Sequence, residues 1–475
     1  MKKMIRRPGM ARLVMLRALL TAAGLVGLVV VFALWGPHAE TEGADAGGIA
    51  REWRALRDVE DEAGFEAWDA MEGAGERVKE FERARYGGAR GEMGLALDRL
   101  LSGAWDDPRH GEDLKKMGER GALVEEILGA AERPFGSWRS PRKGTSAGAA
   151  ESMMGAVFAE GFRERKLMGE LLRVSMRENA ARGDWESVER LTRGHLRLAR
   201  HSFAGEGVVA LGTAVSMWAT GAEECARVAV EEGAPREVCE RLARVIEEGR
   251  LPVEALARAV KGERWIELSV VRGMYNKRGY RMRWTGGSVE TGGLAPSWGM
   301  LEEASAWDRV ANARAYFEAR LKEVEGDIEE GMGLLAGWAE VVAADEGDWE
   351  GMRREGERVR QGERALVHSL GGARGIVRMW LELEQARRGA MVALRVAGWR
   401  AERGEWPRGL EEVMEERERE NPKTGREFVY VAGEEAGGGF WLMEVGLEEW
   451  KLGDWRGGTW RREYVERKKE EWEGE

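Results

Sequence analysis

The feature that most constrains this chain lies at its start. In "MKKMIRRPGMARLVMLRALLTAAGLVGLVVVFALWGP" an uncharged run extends from Ala18 to Trp35, behind Lys2, Lys3, Arg6, Arg7, Arg12 and Arg17. A helix of that length, at about 1.5 Å per residue, covers most of a hydrocarbon layer roughly 30 Å thick, more so if Arg17 snorkels and Leu13 to Leu16 extend it. The run predicts a transmembrane helix over 18–35. Positive residues precede it, whereas Glu40, Glu42 and Asp45 follow. The basic segment 1–17 is therefore expected in the cytoplasm and the rest of the chain in the periplasm, tethered to the cytoplasmic membrane. A cleaved leader ending near Ala44-Asp45-Ala46 is the alternative, against which stand the long basic region and an apolar core exceeding about 7 to 15 residues. Either way the body lies outside the cytoplasm.

The 475 residues and formal charge of -11 bound that body. The length predicts two or three packed units. The acidic balance, with no basic face beyond the first residues, argues against a nucleic-acid partner, because phosphate neutralisation needs clustered Lys and Arg. The 66 glycines and 21 tryptophans read as codon bias before they read as function.

After a linker at 36–48, a membrane-proximal helical region is expected over 49–134, with Trp53, Leu56, Val59, Phe65 and Trp68 as its apolar stripe. "RPFGSWRSPRKGTSAG" interrupts the periodicity, and a helical-hairpin domain over 146–403 follows. Within it, "MRENAARGDWESVERL" reads as a helix, a turn at Gly183, an N-cap at Asp184 and a second helix. Pairs of this size look like tetratricopeptide units without their fixed period. The segment 207–222, apolar nearly all round, predicts a buried central helix and not a second membrane span. Cys225 and Cys239 flank a helix-turn-helix at Gly233 and Pro235, and an oxidising compartment permits either a disulfide between them or two buried free thiols. No Cys-x-x-Cys is present. The long aperiodic loop between Tyr275 and Met300 offers Tyr275, Tyr280 and Trp284 as a candidate partner surface.

The helix over 376–403 carries Ile376, Val377, Trp380, Leu383, Ala390, Leu394 and Ala397 as an inward stripe. Gly404 ends it, Trp406-Pro407 turns the chain, and a short helix is expected over 408–417 with Leu410 inward. "NPKTG" reads as a turn, and "EFVYV" (427–431) and "FWLMEV" (440–445) as two strands.

That order resembles the C-terminal module of type II secretion pseudopilins. The residues carrying the resemblance are Gly404, Trp406, Pro407, Leu410, Asn421, Pro422, Thr424, Gly425, Phe428, Tyr430 and Gly446. Over its whole length the chain is more similar to uncharacterised bacterial proteins that join a single-pass anchor to a helical ectodomain. The resemblance implies a small α+β module at 404–460, before a charged tail at 461–475. Departures matter: no Gly-Phe-Thr-Leu-x-Glu processing signal precedes the apolar run, and "KLGDWRGG" offers only Asp454 toward calcium.

No motif calls for a cofactor, metal or catalytic group. His38, His110, His195, His201 and His368 show no ligand spacing, and the pair in 195–201 faces different sides of one helix. Ser146 in "GTSAG" lacks the strand that a nucleophile elbow needs. The expectation is a mainly α, membrane-anchored extracytoplasmic scaffold or protein-interaction protein whose partners are other envelope proteins. A component of a secretion or pilus-like assembly is the first alternative. The second is an envelope hydrolase, which would need two carboxylates converging in one pocket.

Overall fold

The computed structural model describes residues 62–87, 91–102, 109–133, 162–202, 208–273, 321–345, 347–365, 372–433 and 439–443. The expected membrane helix, Trp53, Leu56, Val59, Ser146, the aromatic loop at Tyr275, Tyr280 and Trp284, and Gly446 onward lie outside them, as do the side chains of Phe65 and Trp68. The described chain is mainly helical. Its elements are α1 (Glu62–Tyr86), α2 (Glu92–Ser102), α3 (His110–Met117), α4 (Gly121–Ala131), α5 (Phe162–Ala181), α6 (Trp185–Ser202), α7 (Val208–Glu231), α8 (Arg236–Glu248), α9 (Val253–Gly273), α10 (Leu321–Ala344), α11 (Trp349–Ala365), α12 (Gly372–Arg403) and α13 (Glu416–Arg419), followed by β1 (Val429–Gly433) and β2 (Gly439–Met443).

Turn chemistry sets the helix boundaries. Gly183 adopts a positive φ of 72°, and the Asp184 carboxylate then accepts the Ser187 backbone N–H at 3.1 Å, capping α6. Gly233 repeats the device at φ 66°, and Pro235 opens α8. The turn at 233–235 forms where the glycine and proline place it, yet α7 and α8 touch each other sparingly and both lie along α12. The hairpin expected there is thus splayed around a third helix. Its two cysteines are free and buried.

Helix α7 is the central element, packed most extensively against α12 and α6. Leu211, Ala214, Val215, Trp218 and Ala222 along it are buried, as an all-round apolar sequence requires. No described helix is long and apolar enough to cross a membrane. Every member of the predicted α12 stripe, from Ile376 to Ala397, is buried. One hydrophobic cluster runs from Met71 in α1 to Leu442 in β2, so the first helices, the central pairs and the C-terminal strands share a core. Trp218, Trp338 and Trp380 are among its largest fully buried side chains. Trp218 donates its indole N–H to Gly249 O at 2.7 Å, and Trp338 to Met352 O at 2.9 Å. Each thereby satisfies a polar tip that burial would otherwise penalise.

Beyond α12, Gly404 takes φ 77° and its N–H closes on Arg400 O at 2.8 Å. The short helix expected over 408–417 is two pieces: a 3-10 turn at Leu410–Glu412 and the single turn α13. Glu415 separates them. Its backbone is extended, and it forms a capping box with Glu418, which starts a new helix instead of continuing the old one. "NPKTG" forms its turn, with Gly425 N–H on Asn421 O at 2.9 Å and Gly425 at φ 72°. β1 and β2 pair antiparallel with Val429 opposite Met443, two residues later at the first strand than the alternation suggested. Trp406 meets Phe440 edge-on at 5.1 Å and Tyr430 lies 5.7 Å from the same ring. Pro407, Leu410 and Phe428 of the same segment are buried.

Candidate functional site

Two fully buried carboxylates organise the polar interior. The first is Glu224 on α7, whose side chain is 1% exposed. Arg177 of α5 donates to it through Nε at 2.6 Å, Arg173 at 3.2 Å, and Arg227 from one turn along α7. Arg177 also donates to Leu100 O at 2.9 Å and to Leu101 O at 2.5 Å, joining the end of α2 to α7. Burial pushes the Glu224 carboxyl up, but the hydrogen bond from Arg177 and the charges of Arg227, Arg177 and Arg173 overcome it and hold the group at about 2.

His195, one helix away, is packed between two glycines. A Cβ at Gly221 of α7 would fall 2.2 Å from its Nδ1, and one at Gly169 of α5 would fall 2.9 Å from its Nε2. The imidazole occupies the space that small residues leave at a three-helix crossing. Burial, then the charge of Arg173, lowers its pKa to about 3, so the ring is neutral. His201 is also buried, its Nε2 3.2 Å from Ala131 O. Both histidines are therefore packed, neither solvated. Among the described residues no group of three or more His, Cys, Asp or Glu is placed to hold a metal ion. Burial raises both cysteine thiols to about 12, against a hydrogen bond with Thr192 at Cys225. Neither is a thiolate at neutral pH, and neither is poised for nucleophilic or redox chemistry.

The second buried carboxylate is Glu384 on α12, with a side chain 0% exposed. Arg250, in the turn after α8, grips it through Nε at 3.0 Å and Nη2 at 2.8 Å. Arg387 donates from one turn along at 2.9 Å, and its Nη1 reaches Glu247 at 2.6 Å. This network lies at the wall of a cleft of about 400 Å³. α12 supplies Arg387, Arg388, Met391, Val392 and Arg395, α8 and its turn supply Glu247 and Arg250, the start of α11 supplies Gly347 and Trp349, and the C-terminal segment supplies Met414 and Glu418. The α12 residues recur at one and four positions, so all five share one helix face.

The carboxylates at this cleft are occupied. Arg395 holds both oxygens of Glu418, at 2.5 and 2.6 Å, and this bond is the main reason the Glu418 carboxyl sits below its ordinary range. The donors are not all occupied. Arg388 forms no hydrogen bond or ion pair among the described residues, and its buried Nε has no acceptor. Burial and then the neighbouring Arg387 charge lower its pKa. Trp349 is 3% exposed, and its indole N–H also lacks an acceptor. Chemically the arrangement can receive an anion. Among the described residues it holds no free carboxylate pair for acid-base work.

The sequence singled out none of these lining residues. The one signal available was the charged interruption of the apolar α12 stripe: Glu384 follows Trp380 by four, and Arg387 follows Leu383 by four. Of the residues that were singled out, Trp406 and Tyr430 meet through the Phe440 ring, and Pro407 and Leu410 are buried in the same C-terminal segment. Pro422 and Gly425 meet α11 through Arg353, which donates to Pro422 O at 2.9 Å.

No protein-family model matches this chain, and neither a curated protein nor a solved structure is significantly similar to it.

Proposed function

We propose that this chain is a membrane-anchored, extracytoplasmic scaffold or protein-interaction protein with no catalytic activity of its own. The anchor and orientation follow from the apolar run 18–35 and its basic flank. In this reading the chain divides into a membrane-proximal region (49–134), a body of tetratricopeptide-like helical hairpins (146–403) and a pseudopilin-like α+β module (404–460), with other envelope proteins as partners and no nucleic acid.

The observation that carries the non-catalytic reading is the state of the cleft's carboxylates. Glu418 is tied to Arg395, Glu247 to Arg387, and Glu384 to both Arg250 and Arg387. A hydrolase working through two carboxylates needs one that carries a proton near neutral pH and one free to act as base. Bidentate pairing with arginine removes both conditions at Glu418. What remains at the cleft is unpaired donors, which suit recognition.

The test has two parts. A reporter fused to the C-terminus is expected to be active only outside the cytoplasm. Crosslinking in intact cells followed by mass spectrometry is expected to recover envelope proteins. Activity of the fusion only in the cytosol overturns the location. A second reading, a component of a secretion or pilus-like machine, draws support from the packing of Trp406, Tyr430 and Phe440 behind Gly404. Recovery of a secretion ATPase or secretin as the main neighbours would select it.

A further inference from the structure

We propose that the cleft between α8, α12 and the C-terminal segment is a binding site for a small organic carboxylate with a compact apolar body, either a free acid or the C-terminal residue of a peptide. The proposal rests on reading the cleft as a recognition site and not a catalytic one. Four arginines meet there: Arg250, Arg387, Arg388 and Arg395. Three carboxylates face them, namely Glu247 and Glu418 at the lining and Glu384 behind it. One positive charge is left over, and it belongs to Arg388, which forms no ion pair among the described residues. A half-buried guanidinium beside Arg387, with the nearby carboxylates already committed to other arginines, is unfavourable, and an entering anion relieves that cost. The surplus of one charge matches a monoanion better than a phosphate dianion.

The second unsatisfied donor, the Trp349 indole N–H, gives the anion a neutral hydrogen bond as well as a charged one. The remaining walls are apolar: Met391, Val392, Met414 and the body of Trp349. A volume of about 400 Å³ is at the lower end of small-molecule pockets, roughly 300 to 1,000 Å³. That space admits one compact residue and excludes a helix or a folded surface. Carboxylate, short apolar body and little else is the chemistry of a peptide's last residue or of a small aliphatic or aromatic acid.

The test is isothermal titration calorimetry on the purified full-length protein in detergent, with N-acetyl-leucine, N-acetyl-leucinamide, acetate and inorganic phosphate as probes. Two octapeptides ending in leucine, one with a free carboxylate and one amidated, complete the set. Saturable binding of N-acetyl-leucine, at least tenfold weaker for its amide and for acetate, is expected. Arg388→Gln, which breaks no described contact, is expected to weaken the acid at least tenfold, and Trp349→Phe about threefold. The free-acid peptide binding within a few-fold of N-acetyl-leucine assigns the site to peptide ends, whereas binding of N-acetyl-leucine alone assigns it to small acids; both support the site. Equal binding of acid and amide, tighter binding of phosphate than of the acid, or no saturable binding overturns the proposal without any variant. Mass spectrometry of the recovered probes separates the two readings. Cleaved peptide overturns the non-catalytic function and leaves the site standing, and absent binding overturns the site and leaves the function standing.

Discussion

Glu224 and Glu384 are both buried and both held by arginines, yet every arginine described at Glu224 pairs with a carboxylate, whereas one arginine at the cleft beside Glu384 forms no ion pair among the described residues. Around Glu224 the guanidinium groups continue into the structure: Arg177 ends on the carbonyls of Leu100 and Leu101, and Arg227 on Glu231 at 2.8 Å. That network fastens α2, α5 and α7 to one another. Around Glu384 the arginines end at a cleft whose wall carries Arg388 and the Trp349 indole without acceptors. The same chemical unit serves as a brace where each of its guanidinium groups pairs with a carboxylate, even though the buried Arg173 Nε lacks an acceptor there. It becomes a receptor where a whole guanidinium is left without a carboxylate beside an open cleft.

The largest break in this comparison is Glu224→Ala. It would strand three arginines around a vacated, buried position and is expected to cost about 3 to 5 kcal/mol, read by denaturant unfolding, with no change at the cleft. Glu384→Gln is expected to destabilise by roughly 3 kcal/mol but to tighten binding of an anion at the cleft several-fold, because one negative charge behind the arginines is gone. Loss of stability with weaker anion binding at Glu384→Gln would contradict the charge argument.

Acid sharpens the contrast next. The Glu224 carboxyl is depressed from 4.5 to about 2, so its stabilising contribution is complete above the unfolded value and is lost as pH falls from about 4.5 to about 2. His195 is depressed from 6.5 to about 3, so its buried neutral ring begins to disfavour the fold once pH drops below about 6.5. Unfolding free energy followed from pH 7 to 2.5 should fall in both windows. Glu224→Gln should flatten the lower one by roughly 3 kcal/mol. An unchanged slope in that variant would mean that the arginines do not hold the carboxyl as described.

Gly221→Ala probes the crossing beside the brace. The added Cβ meets the His195 ring, and overpacking of this kind typically costs about 1 to 3 kcal/mol; a thermal melt reads it. The smallest effect belongs to Arg388→Gln. Because it removes a half-buried charge that has no ion pair among the described residues, it is expected to leave stability unchanged or slightly raised, measured by the same melt, while anion binding at the cleft falls tenfold.

Much of the fold was legible in the chain. The turns at Gly183, Gly233 and Gly404 formed where the sequence placed helix ends, each glycine taking a positive φ. The central helix and the full α12 stripe are buried because apolar periodicity dictates which face leaves water. The short helix after Pro407 was misread as one element, since the Glu415-Glu418 capping box starts a turn locally at a point where composition alone reads as continuous helix. The cysteine hairpin was placed correctly along the chain but not in space. Both α7 and α8 pack along α12 instead, which begins more than 120 residues beyond them in sequence and is invisible to a local pattern.

By itself the sequence determined a mainly helical chain, the positions of its turns and the faces that turn inward, since each of these depends on spacing within a few residues. Tertiary structure alone decided which charges were answered and which were not. Arg250 and Glu384 are 134 residues apart, and Trp349 and Met414 come to the cleft from two further places in the chain. Whether a buried arginine finds its counter-ion depends on which helices close around it, a property of the assembled core that no stretch of residues carries.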